Sequence, residues 1–158
     1  MSQFQILRDQ ALDILKEIQE ENPAIEFSSL TYADGRLLAT TLTETEKVDR
    51  CLIACAETVA FYVSSNLANH LIRGEVKKIL ISGDKGNILI QGVGNFMVLS
   101  TVTKKDAGIK KVTNGIEKHV EDLRKIEKSY GAILKQYYPP QESLISASDA
   151  EEVPMQAE

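Results

Sequence analysis

Residues Glu46 to Arg73, EKVDRCLIACAETVAFYVSSNLANHLIR, contain neither proline nor glycine, and Gly74 follows them. A stretch of that length predicts one helix of about seven to eight turns at 3.6 residues per turn. Its apolar residues do not fit on a single face. Val48, Leu52, Cys55, Val59, Val63 and Leu67 form one broad stripe, and Ala54, Phe61, Ala68 and Ile72 form a second. An ordinary surface helix carries one apolar stripe and one charged face. Here Glu57 is the only charged residue between Arg50 and Arg73. A helix apolar on two sides needs cover on two sides. The chain's own sheet is expected to cover the Leu52, Val59 and Val63 side. A second copy or a partner is expected on the Ala54, Phe61 and Ala68 side. Such a helix points to an interaction protein before it points to an enzyme.

The rest of the chain supplies the sheet. Residues 2 to 21 place Phe4, Leu7, Ala11, Ile14 and Ile18 three and four apart, the mark of an amphipathic helix. Ser2 with Gln5 has capping-box spacing, and Asn22-Pro23 stops the helix. Ile25 to Tyr32 and Arg36 to Leu42 read as two strands around the hairpin turn Ala33-Asp34-Gly35. Thr43 and Glu46 are spaced to cap the long helix, and Gly74 to close it. Val76 to Ser82, Asn87 to Gln91 and Phe96 to Val102 read as three further strands, the middle one apolar on both faces. Thr103 and Asp106 are spaced to cap a last helix with the unbroken seam Ile109, Val112, Ile116, His119, Leu123, Ile126, Tyr130, Ile133 and Tyr137. Pro139-Pro140 ends it.

The predicted fold is therefore α/β of the α+β kind, in the order α-ββ-α-βββ-α, with a meander-like antiparallel sheet of five strands. Residues 1–138 form one domain. Residues 139–158 carry Glu142, Asp149, Glu151, Glu152 and Glu158 and no base, and are expected to be a disordered acidic tail. Without those five acids the net charge of −5 disappears, leaving 18 bases against 18 acids. A neutral body offers no footprint for nucleic acid phosphates. No apolar run approaches the roughly 18 to 20 residues of a membrane span, and the first residues lack a signal-peptide pattern. Two cysteines and no disulfide framework fit a reducing cytoplasm.

Chemistry is hard to find. Gly83-Asp84-Lys85-Gly86 lacks the spacing and the helix of a phosphate-binding loop, and Gly92-Val93-Gly94 joins two strands. Cys51 and Cys55 are expected to be small buried thiols, with His70 about five turns beyond Cys51 and too far along the helix to serve Cys55 as a base. His119 occupies an apolar seam position. The expectation is a protein with no catalytic site, no cofactor and no metal.

At this point the order and spacing of motifs resemble the roadblock domain family, which includes roadblock-type dynein light chains and MglB-like regulators of Ras-like small GTPases. The matching stretches are residues 29–40 (SLTYADGRLLAT), the alanine-rich long helix, residues 78–90 (KILISGDKGNILI) and Phe96 to Val102. The resemblance covers residues 3–128. It implies the long middle helix on one face of the sheet and the terminal helices on the other. It implies pairing of two subunits through the long helices and third strands, with Ala54, Glu57, Phe61, Ser65, Ala68, Ile72, Val76, Lys78 and Leu80 at the interface. It also implies a non-enzymatic, cytoplasmic homodimer, or paralogue heterodimer, that binds a Ras-like small GTPase and tunes its cycle. No contact to the GTPase carries over residue by residue. A structural adaptor with no effect on a GTPase is the second expectation and a small-molecule sensor the third.

Overall fold

The first helix forms as its stripe requires: α1 (Gln3–Glu21) buries Leu7, Ala11, Leu15 and Ile18. A computed structural model describes residues 1–43 and 48–137. The Gln5 backbone N–H donates to Ser2 Oγ at 3.2 Å, but the Gln5 side chain turns to Asp9, so only half of the capping box forms. Asn22 closes α1 by donating its side-chain amide to the Ile18 carbonyl at 2.7 Å.

Two strands follow, β1 (Ile25–Tyr32) and β2 (Leu37–Thr40), and then α2 (Arg50–His70). The second half contains β3 (Lys78–Gly83), β4 (Gly86–Val93), β5 (Met97–Lys104), α3 (Ile109–Glu117) and α4 (Val120–Tyr137). All five strands pair antiparallel in the order β2-β1-β5-β4-β3. The sheet is thus not a simple meander. The two halves of the chain meet at its centre, where Leu30 stands opposite Leu99, and β2 and β3 are left as the two edges.

Opposed residues in an antiparallel pair share a face. Leu30, Leu89, Val93, Met97 and Leu99 join Leu15 and Ile18 of α1, Val112 and Ile116 of α3, and Leu123 and Ile126 of α4 in one core. On the opposite face, Ser29 stands across from Ser100, and Ser100 from Ile90. That face carries α2. The expected arrangement, the middle helix on one side and the terminal helices on the other, is the one found.

Several boundaries differ from expectation. Asp49, not Thr43, caps α2: its Oδ1 accepts from the N–H groups of Cys51 and Leu52 at 3.0 and 3.1 Å. Glu46, the other half of the expected box, lies outside the described residues, as does the acidic tail from residue 139. Thr103 does not cap the last helix, because β5 runs on through Lys104 and takes Thr103 into its ladder with Asn87 and Ile25. Gly108 opens α3 instead. The single last helix is two, broken at Lys118 and His119. Its predicted seam nonetheless holds across the break, with Val112, Ile116, His119, Leu123, Ile126 and Tyr130 all buried. Gly115, which reads as a weak point in the helix, is where α3 meets the end of α1: a Cβ there would overlap the Asn22 amide. Gly94 (φ 59°) is similarly confined, since a Cβ would overlap the Glu127 carboxylate, which accepts from the Asn95 N–H at 3.1 Å.

The end of α2 departs most from expectation. The helix stops at His70, and Ile72 (φ 55°) takes the left-handed cap position two residues ahead of Gly74, which also has a positive φ of 82°. Ile72 N–H donates to the Asn69 carbonyl and Arg73 N–H to that of Ala68, the paired bonds of a Schellman cap. Glycine normally fills this position, and a β-branched residue there is strained. Ile72 is also 90% exposed, so the single chain gains no packing for that strain. Replacing Ile72 with glycine should raise the stability of the monomer by about 1 kcal/mol, read by urea unfolding at low protein concentration. An unchanged or lowered midpoint would mean that the turn is not strained.

Candidate functional site

α2 is held to the sheet through a narrow strip. Ala54, Glu57 and Thr58 are its buried residues. Phe61 lies against Gly92, where an added Cβ would come within 3.0 Å of the ring. Small residues on this side, Ala54, Ser65 and Ala68, let the helix approach the strands. The two faces of α2 are therefore exchanged relative to expectation. Ala54 and Glu57 are buried beneath the helix, and Phe61, Ser65 and Ala68 are half-buried beside them. The bulky stripe faces outward: Leu52, Val59, Val63 and Leu67 are each about 60% exposed or more. Tyr62 and Leu71 extend it.

The reason lies in the sheet. The face beneath α2 presents Ser29, Thr31 and Ser100 together with Gly92, which suits small and polar partners rather than leucines. Serines and threonines stand on both faces of β1 and β5, as Ser28 with Ser29 and Ser100 with Thr101, so no simple alternation in the sequence marks the face under α2. The two cysteines are also placed otherwise than expected: Cys51 and Cys55 are free and exposed. So is the apolar character of α2 as a whole, for its length and composition are enough to cross a membrane. Here it lies on a sheet.

One open edge of the sheet is β3. β3 pairs with β4 on one side only, and Leu80 and Ile81 on it are exposed. Ile72, Lys78 and Leu80 of the expected interface lie on this exposed border, with Val76 half-buried among them. The structure thus exposes both an apolar helix face and an unpaired strand. A groove of about 860 Å³ lies between them and α4, lined by Phe61, Ser65, Lys78, Gln91, Asn95 and Arg124 among others.

Beneath α2 sits a layer that sequence reasoning missed. Glu57 is enclosed between the helix and the sheet, and burial pushes its carboxyl up to about 7, offset in part by the nearby Ser100 hydroxyl. Three polar atoms of this layer, Glu57 Oε2, Thr31 Oγ1 and Ser100 Oγ, are buried and complete no hydrogen bond of good geometry. A carboxyl in such surroundings is held neutral at mildly acid pH. The family resemblance placed it among interface residues; nothing in the local sequence marks it as buried over serines. On the far face, burial likewise raises the Glu127 carboxyl, offset by the Asn95 N–H and by Lys128 and Arg124.

No protein-family model matches this chain, and no curated protein does. Solved structures do. Myxococcus xanthus MglB superposes with a TM-score of 0.70 at 18% identity, covering 82% of this chain and 92% of that one. The Roadblock/LC7 domain from Streptomyces avermitilis gives 0.63 at 12% identity, over 72% of this chain and 93% of that one. The architecture also reaches beyond these: Acanthamoeba castellanii profilin IB gives 0.52 at 13% identity, over 72% of this chain and 95% of that one. In element order, in sheet topology and in its likeness to MglB and the Roadblock/LC7 domain, this chain has the roadblock fold.

Proposed function

We propose that this chain is a non-enzymatic scaffold that pairs with a second copy of itself, or with a paralogue, and presents that pair to a Ras-like small GTPase whose cycle it modulates. One observation carries the reading. The outer face of α2 is apolar and exposed, and the edge strand β3 is unpaired on one side with Leu80 and Ile81 exposed. Monomeric soluble proteins rarely leave large contiguous apolar patches uncovered, and a hydrophobic edge strand is a template for another chain. Pairing α2 with its mate would cover Leu52, Val59, Val63 and Leu67, and pairing β3 with its mate would extend the sheet across the dimer. Ile72, Val76, Lys78 and Leu80 then border the interface. Ala54 and Glu57 support it from within the subunit.

The GTPase rests on the resemblance of the sequence to the roadblock family and on the fold shared with MglB. Fold alone does not assign function, so the partner needs its own test. The chain is mixed with Ras-like GTPases from the same genome, loaded with GDP or with GTP, and complex formation and phosphate release are measured. Binding that depends on the nucleotide is the expected result. Binding that ignores it would leave the same dimer as a structural adaptor, and no binding to any of them removes the GTPase from the proposal.

A further inference from the structure

Away from α2, on the opposite side of the sheet, three metal-competent side chains meet where α1 ends. Glu17 and Glu21 stand four residues apart on α1, so both carboxylates project from the same side of the helix. His119 arrives from a different element, the break between α3 and α4. Its Nε2 lies 2.9 Å from Glu21 Oε2. One ligand atom from each of the three residues lies within 4.8 Å of the other two. The imidazole is nearly enclosed, its side chain 10% exposed, and the His119 backbone is anchored on both sides, its N–H donating to the Ile116 carbonyl and its carbonyl accepting from the Leu123 N–H. The two carboxylates open to solvent.

A histidine–glutamate ion pair accounts for His119 and Glu21 and leaves Glu17 without a role. Among the described residues, Glu17 is engaged in no hydrogen bond or ion pair, yet it completes a three-donor set. We propose that Glu17, Glu21 and His119 bind one divalent transition metal ion, for which zinc is the best-fitting occupant. One imidazole nitrogen and two carboxylate oxygens match the ligands zinc takes, with the fourth tetrahedral position open to water. Calcium and magnesium prefer all-oxygen sets of higher coordination number. Ligand bonds of roughly 2.0–2.2 Å around a tetrahedral centre separate donor atoms by about 3.3 Å. His119 Nε2 lies 2.9 Å from Glu21 Oε2 and all three donors fall within 4.8 Å of one another, so rotation of the exposed carboxylates suffices to reach that spacing. The ion would tie the end of α1 to the α3–α4 break, fastening together the helices of the layer that covers the main core.

The test uses the full-length chain with Cys51→Ser and Cys55→Ser, because the exposed thiols of α2 would themselves take zinc. Metal-free protein is titrated with zinc by calorimetry, and thermal unfolding is followed with and without the ion. Saturation at one ion per chain with a raised Tm is expected. Glu17→Gln should weaken binding by roughly tenfold or more and leave the metal-free Tm unchanged, because Glu17 takes no part in the His119–Glu21 bond. His119→Gln should abolish binding. Cobalt in place of zinc should give a tetrahedral visible spectrum, which Glu17→Gln should weaken. Absence of binding at millimolar zinc would overturn the proposal, and so would binding that survives both substitutions.

Discussion

Val63→Glu should convert the dimer to a monomer. Val63 is 61% exposed in the single chain and lies in the middle of the outer face of α2, so the change should leave the fold of each subunit intact. In the pair, the new carboxylate would be buried against apolar side chains with no partner. An unpaired buried charge costs several kcal/mol, and even about 3 kcal/mol weakens association by roughly a hundredfold. Light scattering should read twice the monomer mass for the wild type at micromolar concentration and the monomer mass for the variant, with unchanged circular dichroism. Phe61→Glu separates the two faces of the helix. Phe61 packs on Gly92 of its own sheet, so that variant should lose thermal stability as a monomer as well. A wild type that is monomeric at these concentrations would defeat the paired-helix reading.

Glu57→Gln should remove the share of the pH dependence of stability that Glu57 contributes between mildly acid and neutral pH, leaving the smaller share of the raised Glu127 carboxyl. The carboxyl has its ordinary pKa of 4.5 when unfolded and about 7 when folded. Between those values the folded chain holds a proton that the unfolded chain has released. Stability contributed by this group is therefore full below pH 4.5, falls as pH rises, and is lost above about 7. The shift corresponds to about 3 kcal/mol at 1.36 kcal/mol per unit. Glutamine keeps the shape without the ionisation. It should match the wild type near pH 4 and exceed it by about 3 kcal/mol at pH 8, in urea unfolding at matched protein concentration. Parallel pH profiles for the two proteins would show that Glu57 is ionised under the helix.

Much of the fold was legible because its signals are local. The stripe of α1, the Asp34-Gly35 turn and the seam from Ile109 to Tyr130 each follow from short-range spacing, and each is found where expected. Strand pairing was not local. β1 joins β5 across the whole of α2, and hairpin turns alone suggested a meander. The faces of α2 were misread for a similar reason. Counting apolar bulk along α2 assigned Leu52, Val59 and Val63 to the sheet. The sheet chose otherwise, because Ser29, Ser100 and Gly92 come together only once β1, β5 and β4 are side by side. The strained turn at Ile72 could not be read at all. Gly74 stands two residues further on and offered the conventional stop.

The central pairing also sets an order of events during synthesis. Residues 25–32 can pair early with residues 37–40, but their partner at the centre of the sheet is missing until residues 97–104 exist. Through that interval α1, the first hairpin and α2 have no sheet to rest on, while β3, β4 and β5 can zip together through two short turns as they emerge. Nonlocal pairing of this kind is slow relative to hairpin closure. The emerging chain therefore presents α2 with both its stripes bare, on a helix long and apolar enough to enter a bilayer. It is at this stage, before the sheet closes, that the chain leaves the most apolar surface uncovered, and incompletely paired chains of this kind are the aggregation-prone ones.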